Sequence, residues 1–223
     1  MRIIGHRGVI GEGYTENTLE AFQAAVDLGV DGIETDVRRS RDGRLVLFHD
    51  RLTANGAPVA ELDHAELQRV EGYAVPELHQ VLATWPNLLW NLEIKTTGFV
   101  EPLMDALCGL PEPNLVISSA HHNLIHDCAD ALHFPLGLIV KHRPVSMAGL
   151  LRDWRARPLH WCVWDLSFVD KEVLEVTADH GIHNVVYDVH TDNDLRLARQ
   201  WAVDAVILDQ PELALGAKRE GVS

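Results

Sequence analysis

A chain of 223 residues, 47% of them hydrophobic and 23% charged, has the make-up of an ordinary globular protein with one large core or two small ones. Its formal net charge of -14 excludes a surface built for nucleic acid or an anionic membrane, since either needs clustered Lys and Arg. No apolar run approaches the ~20 residues that span a bilayer, and "MRIIGHRGVIG" lacks the apolar stretch of a secretion signal.

The first apolar run, residues 3–5, reads as a strand. "ENTLEAFQAAVDLG" then places Leu19, Phe22, Ala25 and Val26 on one helical face, with Gly29 as the C-terminal stop. Residues 32–37 form a second apolar run, and residues 45–48 a third. This third run follows too closely for a crossover helix, because parallel neighbours need a dozen or more connecting residues. Asp42-Gly43 signals a two-residue hairpin turn instead. In that register the numbers of paired residues sum to about 85, so Asp36 faces His49. Residues 50–87 hold two short helical patterns, "AELDHAELQRV" and "VPELHQVLATW", read as a short helical insertion. Further apolar runs at 88–94, 115–118, 136–140, 159–164, 184–187 and 205–208 alternate with helical segments such as "KEVLEVTADHG" and "DNDLRLARQWA".

Strand–helix alternation repeated this often predicts a parallel sheet covered by helices. With the hairpin set aside eight strands remain, the count of a TIM (β/α)8 barrel, here with an extended hairpin after its second strand. An open doubly wound sheet fits less well, because no Gly-rich phosphate fingerprint follows the first strand. No linker or low-complexity tract divides residues 1–223, so they are read as a single domain. Cys108, Cys128 and Cys162 lack metal-ligand spacing and read as reduced core thiols, which makes a cytoplasmic location the expectation.

Side chains alternate along a strand, so Glu34 and Asp36 share a face, as do Asn91, Glu93 and Lys95. All lie at the C-terminal ends of their proposed strands, where a TIM barrel carries its active site. "GHRG" brings His6 and Arg7 to the same rim, and the hairpin returns His49 to it. Carboxylates buried beside a strand need a positive partner. Three hard oxygen donors without a cysteine suit Mg2+ or Ca2+ better than zinc. Ion pairing with Arg7, Arg38 or Lys95 is the alternative. Two imidazoles beside a metal and a guanidinium suggest acid–base chemistry on a phosphoryl group. Most of the 13 histidines, His64, His79 and His180 among them, are expected to be surface or core residues.

"HRG", "ENTLEAF", "GIETDV", "DGRLVLFHD", "LEIK" and the closing "AVILDQPELAL" together resemble the glycerophosphodiester phosphodiesterase family over nearly the whole chain. The resemblance implies a TIM barrel that cleaves glycerophosphodiesters to glycerol 3-phosphate and an alcohol with a divalent metal. It assigns catalysis to His6 and His49, metal binding to Glu34, Asp36 and Glu93, and phosphate binding to Arg7 and Lys95. Glu16 and Asn17 match the family's "ENT"; Glu16 supports the metal, orients Arg7 or helps start the first helix, with Asn17 or Thr18 as cap.

The chain departs from the family in several places. Thr15 stands where proline is usual, and "RLTANG" replaces Arg-Thr-Thr after Asp50. Tyr187-Asp188-Val189-His190 replaces a late tryptophan motif, and Leu208-Asp209-Gln210-Pro211 varies the terminal one. These changes touch the substrate pocket, where Tyr187, Asp188 and His190 become candidate contacts, and spare the metal and acid–base set. Trp161, Trp164, His121 and His142 lie near later strand ends, where core or rim packing is the expected role. The short insertion suggests an open site for small soluble diesters, with no nucleic-acid partner and no stable membrane association expected. A lysophospholipid-directed hydrolase of phospholipase D-like or C-like type and a non-catalytic glycerophosphodiester-binding barrel are the alternatives.

Overall fold

The computed structural model describes residues 1–11, 13–96, 98–108, 114–152, 154 and 159–220, except the side chains of 217–220. In chain order the elements are β1 (Arg2–His6), α1 (Leu19–Leu28), β2 (Gly32–Arg39), β3 (Leu45–Leu47), α2 (His64–Glu71), α3 (Leu78–Thr84), β4 (Leu89–Ile94), α4 (Val100–Leu107) and β5 (Leu115–Ser119). They continue as α5 (His122–Ala131), β6 (Leu136–Val140), α6 (Met147–Arg152), β7 (Trp161–Asp165), α7 (Lys171–Asp179), β8 (His183–Tyr187), α8 (Asp192–Gln200), β9 (Ala205–Leu208) and α9 (Glu212–Glu220).

Every strand but β3 pairs in parallel, and β1 joins both β2 and β9, so eight strands among the described residues close into a TIM barrel. Alternation along each strand divides the apolar residues between two cores. Ile4, Val116, Ile139, Val163, Val185 and Ile207 fill the inside of the ring with Trp161. Phe22, Trp90, Leu92, Ile117 and Leu138 belong to the larger core between ring and helices, where Phe22 meets Trp90 edge-on at 5.4 Å. The helix α1 starts at Thr18, whose hydroxyl accepts from Ala21 N at 3.3 Å, and ends on Gly29 in the left-handed conformation. Thr18 is therefore the cap, which leaves Asn17 free for another role. Gly8 has φ +94, and a Cβ there would stand 2.6 Å from the Ala21 carbonyl carbon. Only glycine lets α1 lie this close behind the end of β1.

The strand β3 lies outside the ring, antiparallel to β2, as expected, but its register differs from the expected one. Arg38 lies opposite Val46 and Ser40 N donates to Arg44 O, so paired numbers sum to 84. The loop holds three residues, Arg41 to Gly43: Gly43 N donates to Ser40 O and Gly43 takes φ +84. This is a turn followed by a left-handed glycine, the usual three-residue hairpin. Asp36 consequently bonds Phe48, whose N donates to Asp36 O at 3.0 Å, and His49 stands one residue further on. Val46, Phe48, Val59, Leu67 and Val75 form a small separate core beneath α2. One thiol also departs from expectation: Cys128 and Cys162 are buried, but Cys108 is exposed. Among the described residues no helix is long and apolar enough to cross a membrane.

Candidate active site

Strand register brings the predicted residues to one level. His6 pairs with Glu34, Glu34 with Asn91, and Asp36 with Glu93 across β1, β2 and β4. Carboxylate oxygens of Glu34, Asp36 and Glu93 lie within 4.8 Å of one another. Asp36, with no exposed surface, is surrounded: Arg7 Nε lies 2.9 Å from Oδ2, Lys95 Nζ 2.9 Å from Oδ1, and Asn17 Nδ2 donates to Oδ2 at 2.9 Å. Burial alone would raise the Asp36 carboxyl, but Lys95, then Arg7, hold it below the ordinary value. Asn17 also accepts from the Thr35 hydroxyl at 2.7 Å, which makes it a buried bracket for Asp36.

Arg7 Nη1 donates to both oxygens of Glu16, at 3.0 and 2.9 Å, so Glu16 orients Arg7 and is not part of the carboxylate cluster. Lys95 also reaches Glu93 at 2.7 Å. Burial opposes the charge on Lys95, yet Asp36 and Glu93 keep its ammonium above the ordinary value.

Glu34 is placed differently. It is 3% exposed, and neither carboxylate oxygen has a hydrogen-bond partner. Burial, then the charge of Asp36, push its carboxyl up to about 8, with Glu93 adding to the rise and His6 and Lys95 opposing it. An unbonded buried carboxylate facing two others calls for a cation, and three oxygen donors suit a divalent one.

The His6 ring bonds Asp209 Oδ1 through Nδ1 at 2.5 Å, and its Nε2 points to Glu34 Oε2 at 3.7 Å. Burial lowers the His6 value, but the Asp209 bond and the Glu34 charge reverse this and leave it raised. His49 Nδ1 lies 2.9 Å from Asp50 Oδ1, and its carbonyl accepts from Arg38 Nε and Nη2 at 2.8 and 2.6 Å.

A cavity of about 190 Å³ opens at this rim, with His6, Arg7, Glu34, His49, Glu93 and Lys95 in its wall. Asp36 is not in the wall. Tyr187, Asp188 and His190 line the opposite side, where His190 Nε2 meets Asp188 Oδ1 at 2.7 Å. Tyr187 packs on the interior core of the barrel, and Thr191, not Asp188, caps α8. Trp161, Trp164, His121 and His142 do not line this cavity; Trp161 fills the barrel and Trp164 donates to Asn184 at 2.9 Å behind it. Sequence reading assigned no role to Asp209, Asn91 or Lys141, all of which line the cavity. Asp209 had a detectable signal: closing eight strands sets the end of the last beside the end of the first, and Gly5 pairs with Leu208.

Residues 6–213 match the model of the glycerophosphoryl diester phosphodiesterase family. A glycerophosphodiester phosphodiesterase of Caldanaerobacter subterraneus subsp. tengcongensis is 29% identical, the alignment covering 98% of each chain. The crystal structure of a glycerophosphodiester phosphodiesterase from Thermotoga maritima superposes with a TM-score of 0.84 at 24% identity, covering 96% of this chain and 97% of that one. A phosphodiesterase of Oleispira antarctica, solved with its product sn-glycerol-3-phosphate, superposes with a TM-score of 0.85 at 20% identity, covering 99% of this chain and 97% of that one. With the family match running from His6, in the rim at the end of β1, to Leu213, just beyond the rim of β9, this chain belongs to the glycerophosphoryl diester phosphodiesterase family.

Proposed function

We propose that the chain hydrolyses glycerophosphodiesters to glycerol 3-phosphate and an alcohol, using a divalent cation held by Glu34, Asp36 and Glu93. The observation that carries this reading is Glu34, buried beside two carboxylates with neither oxygen hydrogen-bonded. Leaving a charged group in that state is costly unless a cation faces it. The all-oxygen donor set, without a thiol, favours Mg2+ or Ca2+. When bound, such an ion polarises the phosphoryl group and offsets charge growing on its oxygens.

The chain's own side chains supply the rest. Arg7 and Lys95 are fixed by Glu16, Asp36 and Glu93, yet both face the cavity, where they bind phosphate oxygens. Of His6 and His49, one takes a proton from the nucleophile and the other gives one to the departing alkoxide. Asp209 accepts a hydrogen bond from His6 Nδ1 and so leaves Nε2 directed at the phosphate. The free thiols Cys108, Cys128 and Cys162 support a reducing, cytoplasmic setting.

The test is turnover of glycerophosphocholine, glycerophosphoethanolamine and a lysophospholipid side by side, after dialysis against chelator and again after adding Mg2+ or Ca2+. Turnover of the soluble diesters should require the metal. Full activity in excess chelator would remove the metal role, and exclusive turnover of the lysophospholipid would reassign the substrate.

Tyr187 and Asp188 contact the glycerol or the alcohol, not the phosphate. Tyr187→Ala and Asp188→Ala should therefore change the ratio of kcat/KM among diesters that differ in the glycerol arm or in the alcohol, each by about 1–3 kcal/mol for one lost pocket contact. Equal losses on all substrates, matching a fall in Tm, would reduce both to packing residues.

A further inference from the structure

The two sides of the cavity differ in charge. Toward β8 and β9 its wall holds Asp188 and Asp209, each with one oxygen against a histidine ring, His190 and His6, and the other able to accept from a hydroxyl. On the other side it continues, through the shared residues His49, Glu93, Lys95 and Lys141, into a groove of about 240 Å³. That groove adds Arg38, Asp50, Arg51 and His121. Among the described residues Arg38, Arg51 and Lys141 take part in no ion pair, whereas Lys95 is bound to Asp36 and Glu93. The Arg38 guanidinium is turned onto a neutral group, the His49 carbonyl. Asp50 is the one carboxylate the groove adds, and it is turned toward His49 Nδ1. In a chain with 33 acidic and 19 basic residues, three unpaired cations round one groove make a local positive potential against the prevailing field.

We propose that this groove is the subsite for the leaving alcohol and that it selects an alcohol with its own negative charge, a carboxylate or a phosphomonoester. The proposal rests on the diesterase reading above. A phosphodiester at Arg7 and Lys95 extends one arm to each side. The Asp188 and Asp209 side repels an anion and accepts hydrogen bonds from hydroxyls, which suits the glycerol arm. The charged arm then crosses His49 into the groove. A quaternary ammonium such as choline is poorly served there: Glu93 is engaged by Lys95, Asp50 is the one other carboxylate and faces His49, and among the described residues no Trp, Tyr or Phe lines the groove to hold a cation on a ring face.

The experiment uses the whole chain with excess divalent metal and three diesters that share the glycerol arm. Their leaving alcohols are choline, glycerol and glycerol with a terminal phosphate. The phosphorylated alcohol should give the highest kcat/KM and choline the lowest, with about a 2–5-fold step between neighbours, the scale of partly exposed charge pairs. The steps should shrink as ionic strength rises. Arg51→Gln and Lys141→Gln should each lower kcat/KM for the phosphorylated ester about 3–5-fold, and for the glycerol ester less. Equal kcat/KM across the panel, or a preference for choline, overturns the subsite while leaving the diesterase reading in place. No turnover of any of the three removes that reading and the subsite with it.

Discussion

Alanine in place of His6 or His49 should lower kcat by about 10²–10⁴-fold, the usual cost of losing a positioned acid or base. The two rings are held in different ways, which makes the pair informative. His6 is fixed through its ring by Asp209 at 2.5 Å. His49 is fixed through its backbone as well, with its carbonyl gripped by Arg38 and its ring meeting the largely exposed Asp50. Their side chains are 26% and 35% exposed, so neither substitution opens a core cavity and the fall in Tm should be small. Both serve one proton-transfer sequence, so the double variant should lose far less than the product of the single losses. A full product would mean that the two act in unrelated steps. Asp209→Ala should produce a smaller loss, chiefly in kcat, because it removes the group that orients His6.

The barrel was legible because its signals are local and repeated: apolar runs, helical faces and a glycine stop at Gly29. The carboxylate and histidine set was legible for a related reason, since alternation fixes which residues share a face before any pairing is known. The hairpin register was not. Asp42-Gly43 announces a turn, but the same pair serves as the centre of a two-residue loop or as the end of a three-residue one. The longer loop is favoured by interactions that no motif encodes, the Ser40 hydroxyl donating to Asp42 Oδ1 at 2.6 Å and accepting from Arg44 N at 3.1 Å. Arg7, Asn17 and Asp188 are likewise in left-handed backbone, with φ of 53, 57 and 63. L-residues adopt that region rarely, and the surrounding site imposes it. The Asp209–His6 bond joins residues 203 apart and depends wholly on ring closure.

Glu34→Gln should separate the cost of the site from its use. The folded chain raises this carboxyl from 4.5 to about 8. Between those values the folded state keeps a proton that the unfolded chain has released, so metal-free protein loses the Glu34 contribution as pH rises through about 8. Glutamine has the same shape and no charge, so the metal-free variant should lack this decline and exceed the wild type in Tm at pH 9. A cation must displace the proton to bind, and wild-type affinity should therefore rise with pH over the same window. At 100 times its dissociation constant the ion stabilises the fold by about 2.7 kcal/mol, a Tm gain of roughly 5–10 °C for a chain of this size. The gain should be larger at pH 9 than at pH 6. In Glu34→Gln it should fall to about 0.4–1.4 kcal/mol at the same metal concentration, because removing even an outer partner of a ligand costs about 10–100-fold in affinity. Calorimetric titration of metal into both proteins, in two buffers of different ionisation heat, reads affinity and released protons together. Wild-type affinity in the glutamine variant, or binding without proton release near neutral pH, would remove Glu34 from the metal site.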